Sequence, residues 1–249
     1  MVAQEQKTEF KFPTEIIELP SKGLLYPQDN PLSSGKIEMK YMTAAEEDIL
    51  TNQSYIQKGI VLDKLLQSLI VSKINYDDLI VGDKNAVMVA ARILGYGKDY
   101  SFTYNGEDHT IDLSQIDNKP FDESLITPGI NEFSFMLPSS EVNITFKILT
   151  HGDEKKIQGE LDGLKKINKD NAPELSTRLK YIITSVNNNR DPKTIREFVS
   201  KFLLAKDSRA LREYIKKVQP DVDLIFFPEG SEKAINIPIG INFFWPDVE

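Results

Sequence analysis

A strand that runs straight into a capped helix occurs twice in this chain, and that pairing restricts the fold more than any other feature. In "KIEMKYM" (36–42), Ile37, Met39 and Tyr41 alternate with Lys36, Glu38 and Lys40, the pattern of a half-buried strand. Thr43 ends the alternation and opens Thr-x-x-Glu with Glu46, a capping box that starts a helix. "VNITFKIL" (142–149) alternates likewise, and Thr150 with Asp153 repeats the box.

Aligning "PLSSGKIEMKYMTAAEE" (31–47) with "PSSEVNITFKILTHGDE" (138–154) sets Pro31 on Pro138, Ser33 on Ser140, Lys40 on Lys147 and Thr43 on Thr150, an offset of 107 (150 − 43). It also sets Ile37, Met39 and Tyr41 on Ile144, Phe146 and Ile148. Further on, Asp99, Phe102, Gly106 and Ile111 align with Asp223, Phe226, Gly230 and Ile235 at an offset of 124 (235 − 111). An extra helix in the second half accounts for the growth in offset. The shared order of elements predicts an α+β fold of two related sub-domains, each a small antiparallel sheet packed with several helices.

The expected division is a flexible N-terminal arm at 1–12, an N-terminal sub-domain at 13–118, a linker at 119–130 and a C-terminal sub-domain at 131–249. Pro13 to Pro31 reads as extended chain broken by turns. Leu62, Leu65, Leu66 and Leu69 make one face of a helix at 60–71, and a buried helix is expected from Asp83 to Leu94, stopped by Gly95. Asn105-Gly106 between alternating runs signals a hairpin. "NEFSFML" reads as a strand, and helices are expected near 151–167, 173–187, 192–204 and 208–218. Leu175, Leu179, Ile182 and Val186 form the stripe of the second of these. The chain closes with another strand-turn-strand.

Chemistry is sparse. No cysteine is present, which removes thiolate metal sites and cysteine nucleophiles, and no catalytic residue, metal ligand or cofactor emerges. "PSKGL" (20–24) places lysine before glycine, and "GYGKDYS" (95–101) puts Asp99 where a phosphate loop needs serine or threonine, so neither reads as a nucleotide site. Of the two histidines, His109 follows the hairpin turn. His151 sits beside Asp153 and Glu154; a solvated first helical turn is preferred there over a metal site. No apolar run is long enough to span a membrane. The polar start resembles no signal peptide, so the cytoplasm is the expected compartment.

The net charge is −8, yet residues 150–219 hold 16 Lys/Arg against 10 Asp/Glu. That block reads first as the solvated face of a helical bundle, with nucleic-acid binding or docking onto an acidic protein as alternatives; aromatic residues do not interleave with it as base-stacking would need. Phe243, Phe244 and Trp245 are consecutive. In a strand they point to opposite faces, so they either close a two-sided core or offer an anchor to a partner, with at least one ring expected to be exposed. Leu24, Leu25 and Tyr26, in the turns before Pro31, are the second candidate partner-binding set.

The segments "IELPSKGLLYP", "GKIEMKYMTAAEEDILT", "KGIVLDKLLQSLI", "RILGYGKDY", "LTHGDEKKI", "DSRALREYI" and "IPIGINFFWPD" together resemble the baseplate hub assembly proteins of T-even-type contractile-tailed bacteriophages. The resemblance runs from about residue 14 to 247. It implies a non-enzymatic assembly factor or chaperone that binds other hub proteins, or else a permanent hub subunit. No small-molecule substrate, cofactor or membrane is implied, and the cytoplasm becomes that of the infected host cell. Relatives can carry a Cys-Pro-x-Cys-Gly knuckle in the last hairpin; here the stretch is "FFPEGSE", so no zinc site carries over.

Overall fold

The computed structural model describes residues 13–167, 173–228 and 233–244. The expected arm at 1–12 lies outside them. Among the described residues there are eight α-helices and four small antiparallel sheets, an α+β fold.

β1 (Thr14–Glu18) pairs with β2 (Lys36–Lys40), whose Ile37 and Met39 are buried as their alternation requires; Tyr41, just past the strand, is half-buried. α1 (Ala44–Leu50) starts at Thr43, whose amide and hydroxyl donate to Glu46 Oε2 at 3.0 and 2.6 Å. α2 (Gln53–Gln57) and α3 (Val61–Leu69) follow, α3 burying Leu65, Leu66 and Leu69. After α3 the chain returns to β2, with Ile70 bridging Met39 and the Val71 amide donating to Glu38 O at 2.8 Å.

α4 (Val81–Tyr96) runs through Gly95 rather than stopping there. Gly95 lies helical against Met42, and the positive φ that ends the helix falls on Gly97, φ +84°. β3 (Asp99–Tyr104) and β4 (Glu107–Asp112) close over Asn105-Gly106, both with positive φ, as a tight hairpin demands.

The second half repeats this plan. β5 (Phe133–Met136) pairs with β6 (Asn143–Phe146), α5 (His151–Ile167) follows, then α6 (Glu174–Ile182) and β7 (Ile183–Val186). The helix expected to run to 187 thus stops five residues early. Ile183, Thr184 and Val186 are β-branched, and this stretch completes a sheet in the order β5-β6-β7. α7 (Pro192–Lys201) and α8 (Ala205–Val218) lead to a short hairpin of β8 (Ile225–Phe226) and β9 (Ile235–Asn236). The last described residues, Ile241–Phe244, form a 3₁₀ turn, not a strand.

The halves share contacts as well as order. Lys40 pairs with the capping residue Glu46 at 2.7 Å, and Lys147 with the capping residue Asp153 at 2.7 Å. Met39 bridges Ile70 as Phe146 pairs with Ile183. The third residue of α4, Asp83, accepts the Ser21 amide at 2.9 Å; the third residue of α8, Asp207, accepts the Ser139 amide at 2.7 Å. Leu19-Pro20-Ser21 therefore matches Leu137-Pro138-Ser139, with both leucines buried. This corrects the alignment of Pro31 with Pro138: the first half carries a longer β1–β2 connection, and a gapless match across it lands on the wrong proline. The expected extra helix is not there in number, since each half has four α-helices among the described residues: α7 stands where the first half has only the 3₁₀ turn Tyr76–Asp78, and α5 alone stands where the first half has α1 and α2.

One hydrophobic cluster draws on both halves, from Leu19, Met39 and Leu66 to Phe146, Leu211 and Phe243. Residues 119–130 are bonded to each side: Lys119 N donates to Asp221 O at 2.8 Å, Asp122 N to Lys217 O at 2.9 Å and Gly129 N to Leu24 O at 2.8 Å. α4 is pressed so closely on the second half that a Cβ on Gly82 would stand 1.9 Å from Pro220 O.

Candidate protein-binding site

"PSKG" is a structural clamp. The Ser21 amide and hydroxyl both donate to the buried Asp83 carboxylate, at 2.9 and 2.6 Å, and the Tyr26 hydroxyl adds a third bond at 2.6 Å. The Ser21 amide is thereby taken, and what it meets is a carboxylate rather than an anion from solution. Burial pushes the Asp83 carboxyl up, against the opposing pull of Ser21 and Tyr26. Lys22 reaches Glu123 at 2.6 Å, and Lys98 of "GYGKDYS" reaches Asp112 at 2.6 Å.

His151 departs from the expected solvated first turn: it is buried at the junction of the halves, 4% exposed. Its amide donates to Leu79 O at 2.7 Å, because Ile80 and Thr150 form a bridge between the halves, and this draws the imidazole inward. There its ring meets Tyr76 edge-on at 4.7 Å. Lys84 Nζ lies 3.1 Å from Nδ1, and Asp63 Oδ2 lies 3.5 Å from Nε2. With an ammonium facing Nδ1, the neutral ring carries its proton on Nε2. Burial, and next the Lys84 charge, push the imidazole pKa down. Asp153 instead caps its helix and Glu154 pairs with Arg178 at 2.6 Å, so the three residues at 151–154 do not converge. No cluster of three or more metal-ligating side chains occurs among the described residues.

One concave surface stands open between the two hairpins. Phe226 of β8 meets Phe102 of β3 at 6.0 Å and His109 of β4 at 5.4 Å, so the aligned hairpins pack on each other. A single bridge, Asn118–Val222, joins the segments that follow β4 and precede β8, and the 3₁₀ turn Leu113–Gln115 separates it from β4. There a cleft of about 440 Å³ opens, with Ile111, Ile116, Ile225, Phe226 and Ile237 among its lining residues. Asp112, Asp117 and Asp223 line it too. Asp112 is held by Lys98, whereas Asp117 and Asp223 have no ion-pair partner among the described residues. Phe227, 61% exposed, follows directly on β8. A lining half apolar and half polar, with two carboxylates open to cations, suits an amphipathic, basic segment of another protein.

The candidate anchors fall elsewhere. Phe243 and Phe244 are fully buried, with Phe243 edge-on to Tyr100 at 4.8 Å. The strand geometry that was to splay them apart does not exist, since a 3₁₀ turn lets successive rings enter the core together. Trp245 lies outside the described residues. Leu25 and Tyr26 are buried and Leu24 is half-buried, because the Tyr26 hydroxyl is drawn in to Asp83 and to the Ile80 amide, which donates to it at 3.0 Å. The hairpin cleft was not legible from single motifs, although the alignment of Phe102 with Phe226 had marked both hairpins as counterparts. The paired Leu-Pro-Ser turns were the available signal for Asp83 and Asp207.

Compared with known protein families, curated proteins and solved structures, the chain matches none.

Proposed function

We propose that this protein is a non-enzymatic assembly factor or chaperone for the central hub of a bacteriophage tail baseplate, acting by binding other hub proteins in the host cytoplasm. The resemblance of the seven segments supports the biological setting. The observation that carries the binding role is the hairpin cleft, whose lining is half apolar and half polar and whose Asp117 and Asp223, without ion-pair partners among the described residues, suit a protein segment. In the basic block, Arg178, Arg190 and Arg196 each pair with a glutamate from another element, which favours protein binding over nucleic-acid binding.

The test is co-expression of the tagged protein with the hub proteins of the same phage, followed by affinity purification. Retention of a hub protein by the wild type, and its loss with Asp117→Lys/Asp223→Lys, is the expected result. No hub protein retained, or undiminished retention by the double variant, overturns the reading. Mass spectrometry of purified particles beside lysate separates a chaperone, present in lysate alone, from a permanent hub subunit.

A further inference from the structure

A second surface, distinct in residues from the hairpin cleft, lies at the corner between α7 and α8. Lys147, Lys155, Arg178, Arg190 and Arg196 each answer a carboxylate on another element. α8 differs. Its buried side is Asp207, Ser208, Leu211 and Val218, while Lys206, Arg209, Arg212 and Lys217 are exposed with no carboxylate partner among the described residues. At 100° per residue these cations share one face of the helix. The one acid on that face, Glu213, is taken by Lys216 at 3.3 Å.

Directly before this helix stand two large exposed apolar side chains. Leu203 packs on the core, so its neighbours Phe202 and Leu204 are turned out, 60% and 48% exposed. Apolar anchors beside a row of unpaired cations form a surface with a defined complement.

We propose that the α7–α8 corner docks an acidic amphipathic segment of a protein partner, its apolar residues against Phe202 and Leu204 and its carboxylates along Lys206, Arg209 and Arg212. From Lys206 to Lys217 the helix rises about 16 Å, which matches a partner helix of about three turns. A polynucleotide fits less well: leucine has no π face on which a base stacks, and the acidic remainder of the chain repels a long polyanion. A membrane surface fits less well too, because the apolar residues Leu211 and Val218 of α8 are buried.

The test uses fluorescence anisotropy at about 150 mM salt, where long-range attraction is screened. The probe is a labelled 18-residue synthetic helix with leucine on one face and glutamate on the other. Saturable binding is expected, weakened at least about tenfold by Lys206→Glu/Arg209→Glu and about fivefold by Phe202→Ser, and unchanged by Asp117→Lys/Asp223→Lys. The substituted side chains are exposed except Asp223, which is half-buried, and circular dichroism checks that each variant is folded; should Phe202→Ser unfold, the charge reversal alone decides. Absent binding, equal binding by the charge-reversed variant, or tighter capture of a 20-nucleotide single-stranded DNA or of phosphatidylglycerol vesicles overturns the proposal. A protein that fails this test while still retaining a hub protein through Asp117 and Asp223 leaves the cleft reading intact.

Discussion

Removing the Asp83 carboxylate is expected to destabilise the protein more than any surface change. Asp83→Ala strands three buried donors, the Ser21 amide, the Ser21 hydroxyl and the Tyr26 hydroxyl. Each buried donor left without a partner costs about 1–3 kcal/mol. Relief from burying the carboxylate itself offsets part of that, so the net loss is about 3–5 kcal/mol, a large fraction of a typical 5–15 kcal/mol total. Asp207→Ala strands two backbone amides, of Ser139 and Ser140, and is expected to cost about 2–4 kcal/mol. Urea unfolding followed by circular dichroism measures both. With a slope of about 2–3 kcal/mol per molar urea, the Asp83→Ala midpoint falls by about 1–2.5 M. Asp83→Ala and Ser21→Ala should also be non-additive, since they remove two sides of one contact. A midpoint within about 0.3 M of wild type, or fully additive losses in the double variant, refutes the clamp.

Below pH 6.5 a first acid loss is expected: His151 has a folded pKa below its unfolded value, so the unfolded chain binds more protons and stability falls as pH drops through the ordinary histidine range; His151→Gln should flatten that slope in urea titrations. A second loss follows between about pH 4.5 and 2. There Glu46, raised by burial but held down to about 2 by Lys40, Thr43 and Ser68, and Glu132, held at about 2 by Arg190, give up stability present at higher pH. Gly82→Ala, a change that ordinarily favours a helix, should instead lower the melting temperature measurably, because Pro220 O occupies the methyl position; an unchanged or raised melting point contradicts that packing. Phe243→Ala should cost about 3–5 kcal/mol by urea unfolding, and a fold-neutral result would put the ring outside the core.

Local chemistry was readable from local letters. The capping threonines, the β2 alternation and the Asn105-Gly106 turn depend on neighbours within a few residues, and each forms as its residues require. The order of elements in the two halves was equally plain, because it is a string of such local signals. What the letters could not settle were contacts between residues far apart in the chain. Ile183–Val186 carries a helical stripe, and only the open edge of β6 makes it a strand. His151 resembles any residue of a solvated helix start until the Ile80–Thr150 bridge draws it beneath Tyr76. Phe243 and Phe244 seemed destined for opposite faces until the 3₁₀ turn Ile241–Phe244 set Phe243 against Tyr100. The clamp at Asp83 lies between: Leu-Pro-Ser is written twice, but the acid it grips is 62 residues away, and only the closed fold puts a buried carboxylate against that amide.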